Sequence, residues 1–293
     1  MMKASYYPGC TLKTKAKNLE AAAIASLAAL GIRLEELPRW NCCGAVHSLA
    51  DDDLIHHVAP VRDLIRAKEQ GSDKIVTLCS MCYNSLARAN LLMRNDEEKR
   101  KTINLFMDEE VDYQGEVEVL HFLTFIRDEI GWDKLRERIK VPLNGLRVAP
   151  YYGCTLQRPR EVGIEPPGHF ELMTEYLQAL GAVAVPFAGA DLCCGSYQIL
   201  GHPEAAKDAS CNIIELANRA GAEALALSCP LCEFNLGKKQ EEFLEGKKIS
   251  KGMPTFYFTQ LLALALGLKP EICHFELNGK GTTALLKSKN YIH

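Results

Sequence analysis

Apolar positions along the chain predict short strands that alternate with longer helices. In the first half, apolar runs of strand length occur near residues 3–7, 32–37, 75–78 and 117–120. Helical spacing of apolar positions predicts helices over residues 17–30, 51–70, 83–108 and 121–130. Gly31 and Gly71 directly follow two of these helices, as is typical of helix ends.

The second half repeats this order of elements. Strands are predicted over residues 147–151, 182–185 and 224–227, and helices over residues 170–180, 203–220 and 255–266. Residues 269–293 show little periodicity, so we predict an extended or partly ordered tail there. Pro142, Asn144 and Gly145 indicate a linker between the halves. We therefore predict two domains, residues 1–144 and 145–293.

Strands that alternate with helices are typical of the α/β class. We predict two tandem repeated domains, each a small, parallel, Rossmann-like sheet with helices on both faces. Loops that follow the strands of a parallel sheet gather at its carboxyl edge, where ligands bind. Residues far apart in sequence can therefore meet at that edge.

Ten of the twelve cysteines form one pattern that occurs twice. Each copy has a single cysteine, then an adjacent pair followed by glycine, then a Cys-x-x-Cys. The gaps are 31 and 35 residues in the first copy, and 38 and 34 in the second. The first set is Cys10, Cys42, Cys43, Cys79 and Cys82, and the second set is Cys154, Cys193, Cys194, Cys229 and Cys232.

Most of these cysteines follow predicted strands and precede helices, whose amino ends favour thiolates. Five thiols exceed the four that a structural zinc or a cubane cluster needs. All-sulfur ligation favours iron–sulfur or zinc, and the ligand count favours iron–sulfur. Gly44 and Gly195 would allow the sharp bend that joint ligation by adjacent cysteines requires. Cys211 and Cys273 lie outside the pattern, and we predict buried thiols there.

The doubled pattern resembles the cysteine-rich CCG domain of the heterodisulfide reductase family, in particular the catalytic B subunit of the enzyme from methanogenic archaea. The resemblance covers nearly the whole chain and implies that each set of five cysteines holds one noncubane [4Fe-4S] cluster. Ser80 occupies the place of the family's usual proline in the first Cys-x-x-Cys, whereas Pro230 keeps it in the second. This departure removes no ligand.

The resemblance further implies an oxidoreductase of methanogenesis that reduces the mixed disulfide of coenzyme M and coenzyme B to two thiols. It implies a multi-subunit complex in which a ferredoxin-like subunit is the direct electron donor. A flavin-containing subunit would link that complex to a hydrogenase or formate dehydrogenase. Because splitting a disulfide takes two electrons, we hypothesise homolytic cleavage between two clusters that face each other across a domain cleft.

Positive side chains beside the first cysteine of each set are candidates for binding the anionic substrate. They are Lys13, Lys15, Arg158 and Arg160, although a solvated helix start explains each one as well. His47 is a candidate proton donor to a product thiolate, with a structural loop histidine as the alternative. We expect His121 to be structural.

The 293-residue chain carries a net charge of −3, which argues against nucleic acid as a partner. We identify no export signal, membrane segment, nucleotide fingerprint or flavin site, so the expected location is the cytoplasm. Two other functions remain open. One is an iron–sulfur electron-transfer subunit of a quinone-linked dehydrogenase complex, and the other is a zinc scaffold.

Overall fold

Two four-stranded sheets, each with all strands parallel, organise the chain. The computed structural model describes residues 2–45, 54–245 and 251–292. The first sheet has the order β2-β1-β3-β4 and the second the order β6-β5-β7-β8. The strands are β1 Met2–Tyr7, β2 Ile32–Glu36, β3 Lys74–Thr77, β4 Glu118–His121, β5 Arg147–Pro150, β6 Val183–Ala184, β7 Ala224–Leu227 and β8 Thr255–Tyr257. The predicted α/β fold with two parallel sheets is confirmed.

Helices cover the sheets and connect the parallel strands. In the first half they are α1 Lys17–Ala29, α2 Val58–Glu69, α3 Ser80–Asn95, α4 Glu97–Phe106, α5 Phe122–Glu129 and α6 Trp132–Arg138. In the second half they are α7 Glu171–Ala179, α8 Pro203–Arg219, α9 Pro230–Glu233, α10 Gln240–Leu244, α11 Phe258–Ala265 and α12 Thr282–Ser288. A π-helix at Phe234–Lys238 and short 3-10 helices at Leu54–His57, Arg160–Val162, Ser196–Gln198, Pro270–Cys273 and Phe275–Leu277 complete the described elements.

The inner strands β1, β3, β5 and β7 each end in three or more buried residues, because helices cover both faces of a parallel sheet. Every residue of β7 is buried. The alanine-rich helix α1 buries small side chains against its neighbours and ends before Gly31, which has φ +85°. Gly181 follows α7 and has the same φ, so the turn after α1 is repeated in the second half.

Helices from the two halves pack against each other at the domain boundary. Helix α1 packs against α11, and α5 packs against α7. The Thr259 hydroxyl donates to the carbonyl of Leu19 at 2.9 Å, and the rings of Phe122 and Phe258 lie 5.4 Å apart. The halves therefore share one buried core.

Two local predictions were wrong, and one helix was missed. The helix predicted over 83–108 is two helices, because the Asp96 side chain accepts the Lys99 N–H at 3.0 Å and caps α4. The helix predicted over 255–266 begins with the three residues of β8. Helix α6 was not predicted at all.

The predicted tail is also wrong, because residues 270–288 include short helices that pack on α1 of the first half and on α11 of the second. The Gln260 side chain donates to the carbonyl of Cys273 and to the side chain of Asn278, both at 2.7 Å. Contacts of this kind leave no hydrophobic periodicity in the sequence. The first three residues of the helix predicted over 51–70 lie outside the described residues. Within the described ranges, no helix has the length and apolar character needed to cross a bilayer.

Candidate metal centre

The carboxyl edge of each sheet collects all five cysteines of its repeat. In the first half, Cys10 follows β1, and Cys79 follows β3 and occupies the N-cap position of α3. In the second half, Cys154 follows β5, and Cys229 occupies the N-cap position of α9. The parallel fold therefore brings three separate segments together, as the sequence predicts.

The thiols of each half lie in close pairs. In the first half, the Sγ atoms of Cys42 and Cys10 are 3.5 Å apart, and those of Cys43 and Cys82 are 3.6 Å apart. In the second half, the Sγ atoms of Cys194 and Cys232 are 3.5 Å apart. None of the twelve cysteines forms a disulfide.

Cys211 and Cys273 lie apart from both sets. The thiol of Cys211 contacts the carbonyl of Phe243 at 3.3 Å, and that of Cys273 contacts the carbonyl of Gln260 at 3.8 Å. Both thiols are buried, as predicted.

A tyrosine joins the first cysteine loop to the double-cysteine loop in each half. Tyr7 donates its hydroxyl proton to the carbonyl of Asn41 at 2.7 Å, and Tyr151 donates to the carbonyl of Leu192 at the same distance. Each acceptor directly precedes an adjacent cysteine pair. The repeated tyrosine therefore has a structural role at the same place in both half-sites.

Glycines allow the close approach of these loops. Gly44 has φ +66° and Gly195 φ +72°, as predicted for the bend beside each cysteine pair. Gly9 has φ +72°, and a Cβ atom there would lie 2.7 Å from the Cys82 Sγ. Only glycine fits at position 9 without moving that sulfur.

Hydrogen bonds between thiols stabilise the thiolate form at several positions. The Cys154 thiol and the Gly195 N–H donate to Cys193 and lower its pKa to about 6. Hydrogen bonds from Cys42 and Cys232 lower the pKa values of Cys43 and Cys229, respectively. The thiolate is the form that binds a metal, so each half has an anionic donor available.

The two half-sites meet at the domain boundary. Cys79 directly precedes Ser80 and Cys229 directly follows Ser228, and these two serines contact each other across this boundary. The N–H of Ser80 donates to the carbonyl of Ser228 at 3.3 Å, and the two hydroxyl oxygens are 2.6 Å apart. The cysteine sets are therefore adjacent across the interface.

The predicted positive residues occupy different environments. Lys13 forms ion pairs with Glu20 at 2.7 Å and Glu36 at 2.6 Å. Arg158 pairs with Asp191 at 2.6 Å. Lys15 is exposed and lines a cavity, and Arg160 is exposed at the start of a 3-10 helix.

That cavity lies between the two domains and has a volume of about 160 Å³. Its lining residues include Thr11 and Lys15 from the first domain, and Leu231, Phe234, Lys238 and Tyr257 from the second. Sequence reasoning missed Lys238 and Tyr257 as candidate site residues. Lys238 lines the cavity from the π-helix, which no periodic pattern indicates. Tyr257 is the last residue of β8, the place that His121 holds in β4.

The predictions for His47 and His121 have separate outcomes. His121 is fully buried, and its Nε2 lies 3.2 Å from the carbonyl of Leu78. Burial lowers its pKa to about 3, so the ring is neutral near pH 7 and structural, as predicted. His47 lies outside the described residues.

A buried carboxyl group beside the first half-site was also missed. Asp63 is fully buried, and its Oδ1 accepts the Asn41 N–H at 2.7 Å. Burial raises the pKa of Asp63 to about 8. The only indication of this buried carboxyl group in the sequence is that an acidic residue stands among the apolar residues of α2.

The residues present fit an iron–sulfur group. In the described part of the chain, no three Cys, His, Asp or Glu side chains are arranged to hold a single metal ion. Each half instead provides five cysteine sulfurs, several of which lie in close pairs. Glycines beside these sulfurs leave space around them. Thiolate donors of this kind suit iron–sulfur clusters better than hard cations.

Comparison with known proteins agrees with this donor set. The CCG cysteine-rich domain family matches residues 4–87 and 148–237, which contain all ten cysteines of the two sets. A Methanosarcina acetivorans protein, the B subunit of a ferredoxin/F(420)H(2)-dependent CoB-CoM heterodisulfide reductase, is 32% identical over 286 residues. That match covers 95% of this chain and 94% of the relative.

Two further proteins are similar. The 8-methylmenaquinol:fumarate reductase membrane anchor subunit of Wolinella succinogenes is 32% identical over 266 residues, covering 90% of this chain and 92% of the relative. A crystal structure of a hypothetical protein from Helicobacter pylori matches with TM-score 0.73 and 14% identity. The match covers 92% of this chain and 50% of that chain, which supports the fold alone.

Both matched regions are cysteine-rich domains, and the named relatives are subunits of redox enzymes. These findings point to bound iron–sulfur clusters and a role in electron transfer. The chain therefore belongs to the CCG cysteine-rich domain family, in which its similar relatives include the B subunit of heterodisulfide reductase.

Proposed function

We propose that this chain is the catalytic subunit of a heterodisulfide reductase, which reduces the mixed disulfide of coenzyme M and coenzyme B. The reaction adds two electrons and two protons to one S–S bond and releases two thiols. The observation that carries the proposal is that two complete five-cysteine sets meet where Ser80 contacts Ser228, the residues next to Cys79 and Cys229. Each set would hold one noncubane [4Fe-4S] cluster, and the bound clusters would supply the two electrons.

The cavity between the domains supports this assignment. It lies beside the Cys10 loop of one set and the Cys-x-x-Cys helix of the other. The ammonium groups of Lys15 and Lys238 would bind anionic groups of the substrate, and Leu231 and Phe234 would pack against its carbon chain. Lys13 and Arg158 are held in ion pairs, which makes Lys15 the stronger of the candidates.

The partners follow from the same proposal. A ferredoxin-like subunit would deliver electrons, and a flavin-containing subunit would connect this unit to a hydrogenase or formate dehydrogenase. We propose the cytoplasm as the location and methanogenesis as the pathway. Similarity to one subunit of a CoB-CoM heterodisulfide reductase supports a multi-subunit assembly.

Metal analysis of protein purified without oxygen tests the proposal. We expect about eight irons and eight sulfides per chain, because two four-iron clusters require them. Mössbauer spectra should show the same unusual iron environments in both halves. Zinc at one or two per chain, or cubane clusters alone, would contradict the proposal.

Replacing Lys15 with alanine should weaken substrate binding more than it slows turnover. We expect KM for the disulfide to rise about fivefold with kcat within about twofold, since one exposed charge contact is worth roughly 1 kcal/mol. Lys17→Ala is the matched control, because Lys17 is also exposed, begins α1, and does not line the cavity. Equal KM values for the two variants would remove Lys15 from the substrate site.

A second candidate function is electron transfer in a quinone-linked complex. The 32% identity to the Wolinella succinogenes membrane anchor subunit favours it specifically. The two functions differ in what alters the oxidised clusters. A spectral change on adding coenzyme M or coenzyme B supports disulfide reduction, whereas reoxidation of the reduced protein by a menaquinone analogue alone supports the quinone-linked role.

A further inference from the structure

Ser80 connects the first domain to the second half-site. Its N–H donates to the Ser228 carbonyl at 3.3 Å, and its hydroxyl lies 2.6 Å from the Ser228 hydroxyl. Both serines are at most 1% exposed. The equivalent residue of the second domain is Pro230, which has no N–H to donate. The serine therefore makes a contact that a proline at this position could not make.

Asn84 makes a second connection from the same helix. It lies one turn after Ser80 on α3, so the two side chains share one face. Its side-chain Nδ2 donates to the carbonyls of Thr155 at 2.9 Å and Arg158 at 2.7 Å. Those carbonyls belong to the loop that begins at Cys154. Both N–H groups of the Asn84 side-chain amide therefore donate to the second domain.

The second domain shows a different arrangement. The position equivalent to Asn84, counted from each Cys-x-x-Cys, is Phe234, which has no side-chain amide. The next residue, Asn235, lies in the π-helix and donates to the carbonyl of Cys194 at 2.9 Å, within its own domain. The Cys10 loop is closed by its own Thr14, whose hydroxyl donates to the Cys10 carbonyl at 3.0 Å. Helix α3 thus supports two cysteine segments of the second set in addition to carrying Cys82 of the first.

We propose that helix α3 is a structural part of the second half-site, with Ser80 and Asn84 as positioning residues for Cys229 and the Cys154 loop. The second set takes its final geometry only when the domains are docked, and docking fixes the spacing between the two sets. This inference concerns assembly of the sites, so it stands whether the substrate is a disulfide or a quinone.

Asn84→Ala in the full chain tests the proposal, with Asn90→Ala as the matched control. Asn90 is a buried asparagine on the same helix, and its Nδ2 donates to Val117 in the first domain. Hydrogen exchange measured by mass spectrometry should be about tenfold faster over residues 154–164 in Asn84→Ala alone, since two buried hydrogen bonds are lost. Residues 5–16 should exchange at the wild-type rate, and iron should fall towards about half.

Equal acceleration over residues 154–164 in both variants, or a uniform change along the whole chain, would overturn the proposal. A double-mutant cycle on Ser80 and Ser228 provides an independent check in case Asn84→Ala does not fold. Ser80→Ala, Ser228→Ala and the double variant should all speed exchange over residues 225–233 to the same extent, because each loses the same hydroxyl contact. Additive effects would show that the two hydroxyls act separately, which contradicts the proposed contact.

Discussion

Cys193→Ser should abolish disulfide reduction while the first half-site keeps its iron. Serine does not supply the soft thiolate that an iron–sulfur cluster requires, and Cys193 has a thiolate-favouring pKa of about 6. We expect iron to fall by about half, and activity to fall to about 1% or less because both sites act as one unit. Cys42→Ser, at the first cysteine of the other pair, should cost the same amount of iron and activity, with the second half-site keeping its iron.

Iron content and turnover, measured on the same oxygen-free preparations, check this prediction. Cys211→Ser is the matched control, since Cys211 is buried and contacts the Phe243 carbonyl, which a hydroxyl can also do. The Cys42→Ser, Cys193→Ser double variant should be no less active than either single variant. Half the wild-type activity in each single variant would mean that the sites work independently, and the proposed joint action would fail.

The fold was predictable because its signals are local. Short buried runs such as Ala224–Leu227 indicate strands wherever they occur, and the repeat shows that both halves use the same order. The missed elements depend on neighbours distant in sequence. The residues of β8 carry the same apolar character as the helix that follows, and only pairing with β7 makes them a strand. The C-terminal helices likewise depend on contacts with Gln260.

The cysteine sets were predictable for a similar reason, since residue type and spacing identify them. What the sequence did not reveal is how the two sets are held together. Ser80 appeared as a neutral departure from a proline, yet its N–H bonds to a residue 148 positions away. Lys13 appeared to be free for an anionic substrate, whereas Glu20 and Glu36 neutralise it. The spacing of charged residues along the chain does not show which of them form ion pairs in the folded protein.

Gly9→Ala should empty the first half-site, whereas Gly31→Ala should leave both half-sites loaded. Both glycines have φ above +70°, so alanine costs each about 1–2 kcal/mol of backbone strain. A Cβ at position 31 meets nothing within 4 Å, but at position 9 it would lie 2.7 Å from the Cys82 Sγ. Cys82 has a single side-chain torsion, so the sulfur can escape that contact only by leaving its place in the set.

The Tm and the iron content of both variants distinguish the two effects. Backbone strain lowers Tm, whereas displacement of the Cys82 sulfur removes iron. We expect similar losses of Tm, with the loss of about half the iron confined to Gly9→Ala. Gly153→Ala provides a third point, because a Cβ there would contact the Cys232 Sγ at 3.5 Å, an ordinary van der Waals distance. It should therefore behave like Gly31→Ala. If all three variants kept their iron, Gly9 would be needed only for its backbone conformation, and the close approach to Cys82 would have no part in cluster binding.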